Sequence, residues 1–122
     1  LQKPCHLIGL ELNISILSAA LRNEPTGQPH GFRGDVAAVA KRNLRAGEML
    51  DGEGGYTVWG KLMPAAKSLA TGALPIGLAH RVKLRNDVAH GAVVRWSDVE
   101  VDEGNDTIKT RRAMEAAFAS GR

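Results

Sequence analysis

Residues 6–22 are almost wholly apolar, and the polar interruptions Glu11, Ser15, Ser18 and Arg22 fall at spacings of four, three and four. On a helix those four make one stripe, with Ile14, Ile16, Leu17, Ala20 and Leu21 covering the rest. Asn13 is the predicted N-cap. Residues 6–12, where leucine and isoleucine alternate around Gly9, are predicted to be an extended lead-in. A helix so widely apolar needs something to pack against. Residues 23–31, rich in Pro and Gly, read as a linker.

The pattern changes from Asp35 to Asp102 to short apolar runs separated by turn residues. Strands are predicted at 36–40, at 49–50 after a turn over 45–48, at 56–59, at 76–84 and at 92–95. Residues 64–70 read as a one- to two-turn helix, with Pro64 near its start and Gly72 just beyond its end. A terminal helix is predicted from Asp106, as its cap, to about Ser120. Within the β zone, Asn43-Leu44-Arg45-Ala46-Gly47-Glu48-Met49-Leu50 aligns with Asp87-Val88-Ala89-His90-Gly91-Ala92-Val93-Val94, 44 positions later. Each copy is a turn needing glycine, flanked by aliphatics for a shared core, which implies a pseudo-duplicated small β fold. The expected fold is therefore mainly β with flanking helices. Residues 1–34 form a helical lead-in and linker, 35–105 the β domain, and 106–122 a C-terminal helix.

Composition narrows this picture in three ways. At 122 residues the chain has room for one core. The longest stretch free of charge and histidine is 12 residues, 68–79, and is broken by Gly72, Pro75 and Gly77. That is too short for a membrane span, which needs roughly 18 apolar residues. The lone Cys5 fits a reducing compartment, and without a visible signal peptide the expected location is the cytoplasm. The net charge of +3 brings no interleaved aromatics, so nucleic acid is not an expected partner. Arg81, Lys83 and Arg85 alternate with Val82 and Leu84, and on a strand they would share one solvated face.

Few motifs carry chemistry. Gly55 to Lys61 spells G-x-x-x-x-G-K, but Leu62 stands where a phosphate loop needs Ser or Thr, and 56–59 favours strand. A glycine hinge before a strand is the better reading. The histidines His6, His30, His80 and His90 lack the spacing of metal ligands, so no metal is expected. Cys5 has no adjacent base, and no Gly-x-Ser-x-Gly elbow is present. His6 and Glu11, five apart on an extended lead-in, would point to opposite faces.

Ala40-Lys41-Arg42-Asn43-Leu44-Arg45-Ala46-Gly47-Glu48-Met49-Leu50, with Asn86-Asp87-Val88-Ala89-His90-Gly91 and Trp96-Ser97-Asp98-Val99, resembles the signature of SAF domains. The resemblance implies a β-clip core. Lys3-Pro4-Cys5-His6-Leu7-Ile8-Gly9-Leu10-Glu11 and Gly52-Glu53-Gly54-Gly55-Tyr56-Thr57-Val58-Trp59-Gly60-Lys61-Leu62 resemble the C-terminal region of homoserine dehydrogenase-like NAD(P)-dependent oxidoreductases. Some of those act like 1-deoxy-D-xylulose 5-phosphate reductoisomerase in isoprenoid precursor synthesis. Cys5 stands where relatives are expected to carry an aromatic. The resemblance implies a piece of a longer enzyme whose N-terminal nucleotide-binding domain is its partner and holds NAD(P), with homo-oligomer contacts possible. No Gly-x-Gly-x-x-Gly is present, so this chain is expected to bind no cofactor and to be inactive alone. No residue here is assigned a catalytic role. The substrate-facing candidates are Lys61, Tyr56, Glu53 and His6, in that order. The alternative function is a stand-alone SAF binding module or flagellar P-ring-type chaperone.

Overall fold

The computed structural model describes residues 4–27 and 30–119. Among the positions singled out above, Lys3, Gln28, Pro29 and Ser120 lie outside them. The chain divides into two compact units, Leu1–Gly31 and Phe32–Arg122.

In the first unit, α1 spans Ile8–Leu17 and continues as a wider π-turn, Ser18–Arg22. The extended lead-in is not what forms. The Glu11 carboxylate accepts the Leu7 amide at 3.0 Å, while the Leu7 carbonyl receives the amides of Leu10 and Glu11. An acidic side chain in the first turn satisfies an amide that has no partner within the helix and favours the positive end of the helix dipole. The helix therefore starts at Ile8, and Asn13 lies inside it rather than capping it. Asn23 ends the π-turn at φ 55°, the left-handed conformation that Asn tolerates. No residue of α1 is buried.

In the second unit, β1 (Gly34–Ala40) pairs antiparallel with β3 (Val58–Pro64) without a break, from Gly34↔Pro64 to Ala40↔Val58. β2 (Met49–Asp51) pairs antiparallel with β4 (His80–Lys83). The small residues of β1 allow packing on both of its faces. Ala38 and Ala40 enter the main core with Leu44, Leu50, Val58, Leu74, Leu84, Val94 and Val99, while Ala37 joins Met63 and Ala73 in a second cluster. α2 (Ala65–Thr71) follows β3 directly and stops at Gly72, φ 67°. α3 (Asp106–Ala119) packs back through buried charge: Arg111 grips Asp35 at 2.6 and 3.2 Å. Ser68 of α2 donates to the same carboxylate at 2.5 Å, and the Trp96 indole donates to Glu115 at 3.2 Å.

The internal repeat is a pseudo-twofold axis in space. Leu44 and Val88 exchange both backbone hydrogen bonds, at 2.8 and 2.9 Å. The Gly47 amide donates to the Leu84 carbonyl, and the Gly91 amide to the Ala40 carbonyl. Asp87 Oδ1 accepts the Ala46 amide and Asn43 Oδ1 accepts the His90 amide, both at 2.8 Å. Each of these contacts maps onto its counterpart by the 44-residue offset that relates Asn43 to Asp87. Gly47 and Gly91 both sit at positive φ, 87° and 77°, which explains the glycine in each copy.

Several expectations need correction. With 37% helix and 25% strand among the described residues, helices mix with antiparallel sheet, and the chain is not clearly mainly β. The strand predicted at 56–59 begins at Val58 and runs to Pro64, because the Asp51 carboxylate takes the amides of Tyr56 and Thr57 out of the ladder. Within 76–84, residues Ile76–Leu78 form a 3₁₀ turn. Arg81 has φ 55°, which breaks the alternation that would have set Arg81, Lys83 and Arg85 on one face. Residues 92–95 form no continuous strand and pair through the isolated bridges Val39↔Val93 and Ala73↔Arg95. α3 is capped by Asn105, whose Oδ1 accepts the Thr107 amide at 2.9 Å; Asp106 is its first helical residue.

Candidate functional site

The glycine-rich segment singled out by the sequence is the connection from β2 to β3. Asp51 ends β2 and organises it. Its carboxylate accepts the Tyr56 amide at 2.6 Å and the Thr57 amide at 3.0 Å, and it receives the Thr57 hydroxyl. The Gly55 amide closes a turn onto the Gly52 carbonyl at 3.3 Å. A Cβ at Gly55 would stand 2.2 Å from the Asp51 carboxylate, so that carboxylate is what demands glycine there. On the other side, His80 Nδ1 lies 3.0 Å from the Asp51 carbonyl oxygen, and a Cβ at Gly52 would crowd the imidazole at 3.0 Å. Burial raises the Asp51 carboxyl pKa, but the Thr57 hydroxyl and the amides of Tyr56, Thr57 and Asp51 itself outweigh it and lower the pKa to about 2. A carboxylate so well supplied with donors is a scaffold and a poor proton acceptor at neutral pH.

This scaffold presents Glu53 and Tyr56 to solvent, with Tyr56 86% exposed. Lys61 is not beside them. It sits mid-way along β3 opposite Ala37, three residues beyond Val58 and hence about 10 Å along the strand. The cation that reaches the glycine loop is Lys41, whose ammonium donates to the Gly55 carbonyl. Lys61 as the nearest cation is thus corrected to Lys41, because strand pairing of 58–64 carries Lys61 away.

His6 belongs to the first unit, where its Nδ1 lies 3.2 Å from Glu11 Oε2. The two side chains meet rather than oppose each other, since the turn starting α1 replaces the extended lead-in. Cys5 is an exposed free thiol. Gly60 and Lys61 of the G-x-x-x-x-G-K run lie inside antiparallel strand and wrap no loop. Among the described residues no group of three His, Cys, Asp or Glu side chains is placed to hold a metal ion. Among them, too, no helix is long and apolar enough to cross a membrane.

No family model matches the chain, and no curated protein matches it. The site must therefore be read from its own geometry. Sequence reasoning missed Asp51, Thr57 and Lys41, the three residues that shape the glycine loop. The one signal available was Asp51 standing directly before Gly52-Glu53-Gly54-Gly55, since an Asx side chain can bind amides further along a turn.

Proposed function

We propose that the chain is an accessory β-clip domain of SAF type from a homoserine dehydrogenase-like NAD(P)-dependent oxidoreductase. It supplies pocket walls or subunit contacts, and hydride transfer is done elsewhere in the longer polypeptide. The observation that carries this reading is the pseudo-twofold clasp of the turns at Gly47 and Gly91, which supports a β-clip on the residues that resemble the SAF signature. The apolar α1 adds support, because Ile8, Leu10, Ile14 and Leu21 are 65–78% exposed and suit burial against another domain. The glycine loop, held by Asp51 with Glu53 and Tyr56 outward, fits a wall and not a reaction centre.

Two measurements test the proposal together. The isolated chain should oxidise no NADPH with hydroxy-acid or sugar-phosphate substrates, since hydride transfer requires a bound nicotinamide set against the substrate. The full-length polypeptide that contains it should bind NADPH in a calorimetric titration. A full-length polypeptide without dinucleotide binding would sink the proposal. If it opened instead on a signal peptide, the stand-alone binding module or flagellar P-ring-type chaperone would take its place.

A further inference from the structure

One difference between the two halves of the pseudo-dyad leaves a charge without a partner. Lys41 and Arg85 are equivalent: the Lys41 amide donates to the Thr57 carbonyl at 2.9 Å, and the Arg85 amide to the Asp98 carbonyl at 2.7 Å. In the first half, residues 51–56 connect the flanking segments and bend far enough for the Lys41 ammonium to reach Gly55. In the second half the matching connection is only 95–97, three residues shorter, and folds into a tight 3₁₀ turn. The Asp98 carboxylate takes the Arg95 amide at 2.9 Å, and Asn86 Nδ2 donates to the Ser97 carbonyl at 3.2 Å, which fixes the turn. None of the hydrogen bonds that fix this turn comes from the Arg85 side chain. Among the described residues its guanidinium has no ion-pair or hydrogen-bond partner.

Beside this turn, toward the start of α3, there is a groove of about 580 Å³. That volume falls within the range of small-ligand sites. Arg85 and Lys109 line it, and its apolar wall is formed by Val99, Val101 and Ile108. Trp96 closes one side, held by its bond to Glu115 and covered by the Arg112 guanidinium 5.0 Å from its ring centroid. Among the described residues the Lys109 ammonium pairs only with Asp106, at 3.1 Å, in a pair that is well exposed and easily exchanged. Glu103 is the one carboxylate on the lining.

We infer that this groove binds a compact organic dianion on a short carbon skeleton, with Arg85 and Lys109 taking the charge and Val101 and Ile108 the carbons. Two cations not committed to buried partners match two negative charges, which a phosphomonoester or a dicarboxylate carries near neutral pH. The site is separate from the glycine loop and holds whichever reading of the function is right.

Calorimetric titration of the full chain tests it, using glycerol 3-phosphate and succinate as probes and glycerol as the uncharged control. Either dianion should saturate, and glycerol should not; the one that saturates at lower concentration identifies the source. Arg85→Gln should weaken binding by about tenfold or more, as loss of a charge-assisted contact does, with an unchanged melting temperature. Lys41→Gln, the same change at the equivalent cation, should leave binding intact. Failure of both dianions to saturate at millimolar concentration overturns the inference. So does equal weakening by Arg85→Gln and Lys41→Gln, which would mean diffuse attraction to a basic surface.

Discussion

Asp51 holds its loop only while charged. In the unfolded chain its carboxyl titrates near the ordinary 3.8, whereas in the folded chain it titrates at about 2. A lowered folded pKa gives stability that is present above the unfolded value and lost as pH falls through the folded one. Acid denaturation of the wild type against Asp51→Asn should therefore show a gap that is full above about pH 4 and closes toward about pH 2. At neutral pH the gap should be about 1–2 kcal/mol, trimmed by the solvent on the exposed side of the carboxylate. A gap that persists unchanged at low pH would mean that loop geometry, and not charge, sets the cost. Lys61 is a second test at this scale. Lys61→Ala should leave the melting temperature almost unchanged, since the side chain is exposed on β3 and has no buried contact to lose. A clearly lower melting temperature would make Lys61 structural. Lys61 drew attention because its charge follows a glycine run in sequence. The strand that carries it away is decided by pairing with β1, a contact that no local pattern reveals.

Between elements, the critical joint is α3 against β1. Asp35 is 6% exposed, and burial would raise its pKa; the Arg111 guanidinium and Ser68 hydroxyl more than offset this and hold it low. Arg111→Met strands a buried carboxylate and should cost about 3–5 kcal/mol in urea unfolding. Adding Asp35→Asn, which still accepts from Ser68, should recover a large part of that loss; simple addition of the two single effects would argue against a direct pair. Elements set by local signals were legible in sequence. Pro64 and Gly72 bracket α2 as read, and the turn glycines Gly47 and Gly91 lie where the repeat put them. Boundaries set by a distant or unexpected polar partner were not. Glu11 moved the start of α1, Asp51 delayed β3, and Asn105 displaced Asp106 as the cap of α3. In each case one side-chain oxygen captured a backbone amide that propensity had assigned elsewhere. The Asp35–Arg111 pair spans 76 positions and left no trace in the local pattern.

For the molecule as a whole, the repeat was the most informative sequence feature, yet its spatial meaning lay beyond reach, because an eight-residue match does not say that the two copies clasp each other. Leu44 is 1% exposed at that clasp, and Leu44→Ala should cost about 2–5 kcal/mol through the cavity it leaves. The clasp also has a kinetic consequence. The Gly47 amide is satisfied by Leu84 and the Gly91 amide by Ala40, so each turn is closed by the other half of the chain. Neither half can therefore ripen alone, and a nascent polypeptide must emerge past Leu84 before even the first turn finds its acceptor. Closing such distant loops makes folding slow relative to a helical bundle of this size. It should also make the two glycine amides exchange with solvent deuterium at one common opening free energy. Unequal protection at Gly47 and Gly91 would show that one half opens without the other, and the two turns would then be neighbours rather than a single cooperative unit.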